Sequence, residues 1–340
     1  MGMSCAPLVL RSNYSLLHGT TPVEHAVEEA ARLGYAAVAL TDIHNLYGAI
    51  PFYKISRETG LKPILGAEVF EGHHRAVLLA KDHVGYSNLC RILTRRHLED
   101  QFPLAETVAQ FQEGLFVLTD DPALAAELKP RLPTDSLFIL WALPEGSRRR
   151  DVFQQAKALK LPVVATPDAH FLDSEEMETH RVLKAIGRNT LLSRLNAADL
   201  APSSGFLPSL DAFQRLAQEH PEALRNNARI VEQCNLEIPM GRPIFPRFPL
   251  PEGVRAAEFL RKLCIEGLPR RYPASPQSAI QRLDHELEII ERLGFTEYFI
   301  FVWDIMEYAR AKGIATVGRG SGASSIVSYL LGVTNVDPLT

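Results

Sequence analysis

The chain reads as an α/β protein whose front part is a barrel of β-strands wrapped by helices, and three observations predict this. Short apolar runs recur through its first half, among them Ala36–Leu40, Pro63–Leu65, Ala76–Ala80, Leu115–Leu118, Leu137–Leu140 and Leu161–Ala165. Amphipathic segments lie between them. Acidic and imidazole side chains gather just after several of the runs. Buried strands alternating with helices imply parallel β/α architecture. This many strands over about two hundred residues favour closure into a barrel over an open sheet.

The first helix starts at Thr21-Pro22-Val23-Glu24, with Thr as N-cap, Pro at the first helical position and Glu placed for a capping box. Val23, Ala26, Val27 and Ala30 then follow at helical spacing. After the barrel, Ala201-Pro202-Ser203-Ser204-Gly205 reads as a loop, and Leu210–Glu219 and Glu222–Cys234 as helices appended to the barrel. Residues 238–253 contain five prolines and read as an extended linker. Helix resumes at Val254, breaks at Tyr272-Pro273 and restarts at Ser275-Pro276. Ile280, Leu283, Leu287 and Ile290 then form one apolar stripe ending at Gly294. His73, His74 and His83 fall at a strand edge and a helix start, where surface or core packing accounts for them.

Composition narrows the class. At 340 residues and 46% hydrophobic, the chain can bury a core and hold more than one domain. No run approaches the length of a membrane span, and no signal pattern opens the sequence. Cys5, Cys90, Cys234 and Cys264 lack C-x-x-C pairing, which fits reduced thiols in a cytoplasmic protein. The net charge is −4 and the pI near 6.3, so this is not the footprint of a chain that grips duplex DNA by itself. The basic clusters Arg95-Arg96, Arg148–Arg150 and Arg270-Arg271 are short enough to be solvated helix faces.

Barrel enzymes place their chemistry at the C-terminal ends of the strands. Those ends carry His18, Asp42, His44, Glu68, Asp168 and His170. Such carboxylates and imidazoles suit Zn²⁺, Mn²⁺ or Fe²⁺, and a metal-bound hydroxide could hydrolyse a phosphoester. The same residues also serve as caps and turn formers, Asp42 and Asp168 in particular.

A second chemical candidate lies at 314–332. Gly313–Val317 reads as a short strand, Gly318-Arg319-Gly320-Ser321-Gly322 as a glycine-rich turn, and Ala323–Leu331 as a helix closed by Gly332. Such a turn onto a helix start offers backbone N–H groups to an anion, with Arg319 and Ser321 suited to phosphate oxygens. The spacing matches neither the dinucleotide fingerprint nor a P-loop, and an ordinary connection has the same composition.

The wording of this segment, G-R-G-S-G-A-S-S followed by L-L-G-V-T-N-V-D-P-L, resembles the opening of the palm in bacterial C-family DNA polymerases, the DnaE-type DNA polymerase III alpha family. Glu297–Asp304 resembles the aromatic helix that precedes it there. The front half, through R-S-N-Y-S-L-L-H-G, A-L-T-D-I-H-N, P-I-L-G-A-E-V and P-V-V-A-T-P-D-A-H-F, resembles the PHP (polymerase and histidinol phosphatase) domain that opens these polymerases.

The resemblance implies a PHP-type distorted β/α barrel over 1–205, a helical extension and linker over 206–274, and the incomplete start of a palm over 275–340. It implies that Gly318, Arg319, Gly320 and Ser321 hold the triphosphate of an incoming deoxynucleotide. Mg²⁺, DNA, the nucleotide and other replicase subunits are the implied cofactor and partners of the complete enzyme. In the family the catalytic carboxylates follow the Asp-Pro-Leu found here at Asp337, so no catalytic residue is assigned and the chain alone is expected not to extend a primer.

Active PHP domains open with a His-x-His pair where this chain has Val9 and Arg11, and carry His where it has Ile43. His18, Glu68, Asp168 and His170 match ligand positions. Arg11 is expected to point into this site, replace the metal's charge and pair with Glu68 or Asp168. A self-standing metal-dependent phosphoesterase and a non-catalytic interaction module are the alternative readings.

Overall fold

The computed structural model describes residues 4–143, 149–241, 244–274 and 276–340, so Arg148 and the expected helix restart at Ser275 lie outside it. Contacts divide the chain into two compact units, Met1–Ile238 and Pro239–Thr340. The helical extension expected over 206–274 is thus shared between them.

The first unit runs β1 (Val9–Leu10), α1 (Val23–Arg32), β2 (Ala37–Ile43), α2 (Ala49–Glu58), β3 (Lys62–Glu71), β4 (His74–Ala80), α3 (His83–Leu98), α4 (Leu104–Gln110), β5 (Leu115–Thr119) and α5 (Pro122–Leu128). It continues with β6 (Leu137–Leu143), α6 (Arg149–Leu159), β7 (Val163–Ala169), α7 (Ser174–Gly187), α8 (Leu210–Ala217) and α9 (Pro221–Gln233). Thr21 does not cap α1; its hydroxyl donates to Glu176 Oε2 at 2.6 Å, and Pro22 stands at the cap without a side-chain bond.

The strands lie in the order β1-β7-β6-β5-β4-β3-β2. The two ends of this order approach one another. Ala39 N donates to Pro7 O at 3.0 Å and Leu10 N to Thr41 Oγ1 at 3.1 Å, so the sheet is a nearly closed barrel. Neighbours are parallel except at β4, which runs antiparallel to both β3 and β5. The all-parallel expectation fails there for a simple reason. Gly72, with φ of 59°, and His73 alone separate β3 from β4. A connection this short makes a hairpin, because a parallel crossover needs about a dozen residues.

Alternation along the strands creates two layers. One set, including Val38, Leu40, Leu65, Leu78, Val117 and Ile139, packs with α1, α2 and their neighbours on the outside. The other set, including Val9, Ala39, Ile64, Val77, Leu79, Phe116, Leu118, Leu140 and Val164, packs with Ile230 and Val231 from α9 and with Cys234 just after it, and fills the barrel. Asn227 of α9 ties the barrel strands together: its Nδ2 donates to Ala6 O and Ala165 O, and its Oδ1 accepts from Ala6 N. Asn227→Ala leaves these buried backbone groups unpaired, and urea unfolding is expected to show a loss of about 1–3 kcal/mol.

The second unit consists of α10 (Ala256–Arg271), α11 (Gln277–Arg292), α12 (Thr296–Ala311), a 3₁₀ turn at Ser321–Ser324 and α13 (Ile326–Leu330). Leu260, Cys264, Leu283, Ile290, Ile300, Ile326 and Leu330 form its core, with Ile280 and Leu287 packed against it. Gly267 permits the close approach of α13, since a Cβ there would sit 2.2 Å from Leu330 O. The strand expected over Gly313–Val317 does not form. The described part of this unit contains no strand to pair with it, and Ile314 and Val317 are 55% and 80% exposed.

Candidate functional site

The inward register of the barrel changes character at its mouth. Two-residue steps from the apolar interior lead from Val9 to Arg11, from Gly66 to Glu68, from Val77 back to Arg75, from Leu118 to Asp120 and from Thr166 to Asp168. Five charged side chains from five strand ends therefore face one space. Arg75 belongs to this set because β4 runs backwards, which brings its start to the end where the parallel strands finish.

The charges pair densely. Arg11 Nη2 lies 2.6 Å from Glu68 Oε2 and donates to Glu68 Oε1 at 2.9 Å, while its Nη1 donates to Asp168 Oδ1 at 2.7 Å. Arg75 Nε lies 2.9 Å from Glu68 Oε1, and its terminal nitrogens donate to Asp168 Oδ2 at 3.2 Å and Asp120 Oδ2 at 3.3 Å. Arg11 and Glu68 are almost fully buried. Burial alone would weaken both guanidinium cations, but Asp168 and Glu68 outweigh it and hold them firmly protonated. Burial likewise opposes a charged Asp168, yet Arg11 and Arg75 hold its carboxyl far below the usual carboxylate range.

The imidazoles complete one wall. His170 contacts Arg11 Nη1 at 3.2 Å through its ring nitrogens, and His18 Nε2 lies 3.3 Å from His170 Nδ1. His180 of α7 bonds His18 O through Nδ1 at 2.7 Å and accepts from Ala201 N at 3.0 Å through Nε2. Burial, then the Arg11 charge and the neighbouring His170 and Lys184, push His18 down to about 2, and burial with Arg11 lowers His170 as well. The imidazoles are therefore neutral.

Sequence reasoning placed His18, Glu68, Asp168 and His170 at the barrel mouth, and the structure brings all four around Arg11. Arg11 pairs with both carboxylates. Asp42 instead accepts from Ser12 N, Ser12 Oγ and Ser15 Oγ at 2.6–2.8 Å and fastens the loop after β1. His44 turns aside with φ of 57°, its ring edge-on to Phe70. Arg75, Asp120 and His180 were not foreseen. A metal ion does not fit the residues present, because each oxygen of Glu68 and Asp168 already lies against a guanidinium.

In the second unit, the glycine-rich turn is open. Gly320 has φ of 78°, and Gly318 passes so close to the chain that a Cβ would meet Val333 O at 2.9 Å. The expected helix from Ala323 begins later, at Ile326, because Ser325 caps it by accepting from Ser328 N at 3.3 Å. Glu286 Oε2 of α11 accepts from Ser325 Oγ at 2.7 Å and fixes the end of the turn. Arg319, Gly320 and Ser321 are exposed, and Arg319 has no side-chain partner among the described residues.

Residues 7–137 match the PHP domain family, and residues 258–340 match the bacterial DNA polymerase III alpha NTPase domain. The DNA polymerase III subunit alpha of Bacillus subtilis is 35% identical over 365 residues, covering 99% of this chain and 33% of that protein. An error-prone DNA polymerase of Symbiobacterium thermophilum is 32% identical, covering 99% of this chain and 35% of its own length. The chain thus spans about a third of the curated relatives it matches. Among solved structures, an amidohydrolase from Chromobacterium violaceum is similar over 50% of this chain and 89% of its own, at 13% identity and a TM-score of 0.40. Over nearly its whole length the chain thus matches bacterial DNA polymerase III alpha subunits, with PHP-domain residues ahead of NTPase-domain residues.

Proposed function

We propose that this chain acts as part of a DNA-directed DNA polymerase in replication, in which Gly318, Arg319, Gly320 and Ser321 hold the triphosphate of the incoming deoxynucleotide. The observation that carries the reading is the turn itself. Gly320 adopts a left-handed φ that leaves its backbone N–H free of a Cβ screen, and Arg319 and Ser321 flank it with a cation and a hydroxyl. Glu286 holds Ser325, the cap of α13, so the segment is anchored at that end while the tip of the turn stays accessible. Mg²⁺, DNA, other replicase subunits and a cytoplasmic location belong to the same proposal. Among the described residues, no helix is long and apolar enough to cross a membrane.

The PHP barrel is, in this reading, a structural element without hydrolytic chemistry. Its mouth offers a phosphoester no free carboxylate of Glu68 or Asp168 and no protonated imidazole from His18 or His170. The phosphoesterase alternative is therefore disfavoured.

Primer extension by a polymerase carrying this segment tests the assignment. Ser321→Ala, by loss of a hydrogen bond to a charged group, and Gly320→Ala, by straining a backbone φ of 78° that L side chains rarely adopt, are expected to raise the KM for deoxynucleotide about tenfold or more, with primer-template affinity unchanged. Unaltered nucleotide KM in both variants would overturn the role.

A further inference from the structure

We infer that His73, His74 and Asp121 form a surface site for a borderline divalent cation of the Zn²⁺, Ni²⁺ or Cu²⁺ class, separate from the arginine-filled barrel mouth. One donor atom from each of the three residues lies within 4.8 Å of the other two, the one such group among the described residues. Two imidazoles and one carboxylate make a mixed nitrogen and oxygen set that suits these ions, whereas Mg²⁺ and Ca²⁺ favour oxygen alone.

Backbone geometry builds the site. Gly72, with φ of 59°, turns the β3–β4 hairpin so tightly that His73 at its tip stacks on His74, the ring centroids 4.1 Å apart. Asp121 arrives from the end of β5 and caps α5. Its Oδ1 accepts from Ala123 N at 2.8 Å and Leu124 N at 3.3 Å, which locks the carboxylate and aims Oδ2 at His74 Nδ1. A ligand held by such bonds needs little reorganisation to receive an ion.

Strand alternation separates this site from the barrel mouth. His74 precedes Arg75, and Asp121 follows Asp120. Arg75 faces inward and pairs with Asp120, Glu68 and Asp168, while His74 and Asp121 face the outside. His73 is exposed and the other two are partly so, which leaves the remaining coordination positions to water or to a donor from another molecule.

Calorimetric titration of the purified chain with Zn²⁺ tests this inference, with His74→Ala and Asp121→Asn as variants. Asparagine keeps the cap on α5 while removing the charge, so a folded variant is available. The wild-type chain is expected to bind one equivalent, with affinity lowered at least about tenfold in each variant. Circular dichroism should show unchanged helix content. Failure of the wild-type chain to bind would overturn the site, as would binding that is equal in all three proteins.

Discussion

Replacing Arg11 with alanine is expected to destabilise the barrel unit by about 3–5 kcal/mol, the usual cost of removing one partner from a buried ion pair. Arg11 is 3% exposed and is the group that touches both Glu68 and Asp168 from the β1 side. Its loss leaves two carboxylates sharing Arg75 in a largely buried space. Urea unfolding followed by tryptophan fluorescence, with Trp303 replaced by phenylalanine so that Trp141 reports on the barrel unit, reads the change. The deficit has a definite pH dependence. Asp168 has a folded pKa held below its unfolded value by Arg11 and Arg75. The stability it contributes is therefore present above the ordinary carboxylate range and lost as pH falls through the depressed folded value. The difference between Arg11→Ala and the parent chain should shrink below about pH 4, because the stability that Asp168 contributes through its pairing is lost as the unfolded chain takes up the proton. A deficit that is constant from pH 7 to pH 3 would contradict the charge-pairing account.

Glu68→Gln is expected to cost about 3 kcal/mol or more for the converse reason. Glu68 is 1% exposed and lies between the two arginines, so the amide leaves their charges to Asp168 and the partly exposed Asp120. The double substitution Arg11→Met with Glu68→Gln should cost less than the sum of the single changes. It removes one charge of each sign, and methionine fills part of the vacated volume. Additive losses would show that the two residues act independently. Both effects are large because the cluster is buried; exposed pairs such as Lys54 with Glu58 should each contribute under about 1 kcal/mol.

Much of this was legible in the sequence. Six apolar runs mark strands because both faces of a barrel strand are covered, so no polar alternation interrupts them. Glu68, Asp168 and His170 were found because they follow such runs, and His18 through its match to a ligand position of the PHP family. Arg75 was not, since its place depends on the direction of β4, which a two-residue hairpin reverses. In an all-parallel barrel the start of β4 would lie at the opposite end. His180 lies on a helix, eleven residues after the last strand, and reaches His18 through the packing of α7 rather than through a strand-end position. The strand misread at Gly313–Val317 has apolar composition without a pairing partner, and composition does not supply one. At the hairpin, His73 and His74 look like isolated surface residues until the start of α5 brings Asp121 beside them.

The central claim is that arginine side chains, and not a metal ion, fill the mouth of the PHP barrel. Anomalous diffraction at the zinc edge from crystals soaked in Zn²⁺ tests it most directly. The account predicts no anomalous peak among Glu68, Asp168, His18 and His170, and a peak at His73, His74 and Asp121. A peak within bonding distance of Glu68 and Asp168, with Arg11 and Arg75 displaced, would contradict it.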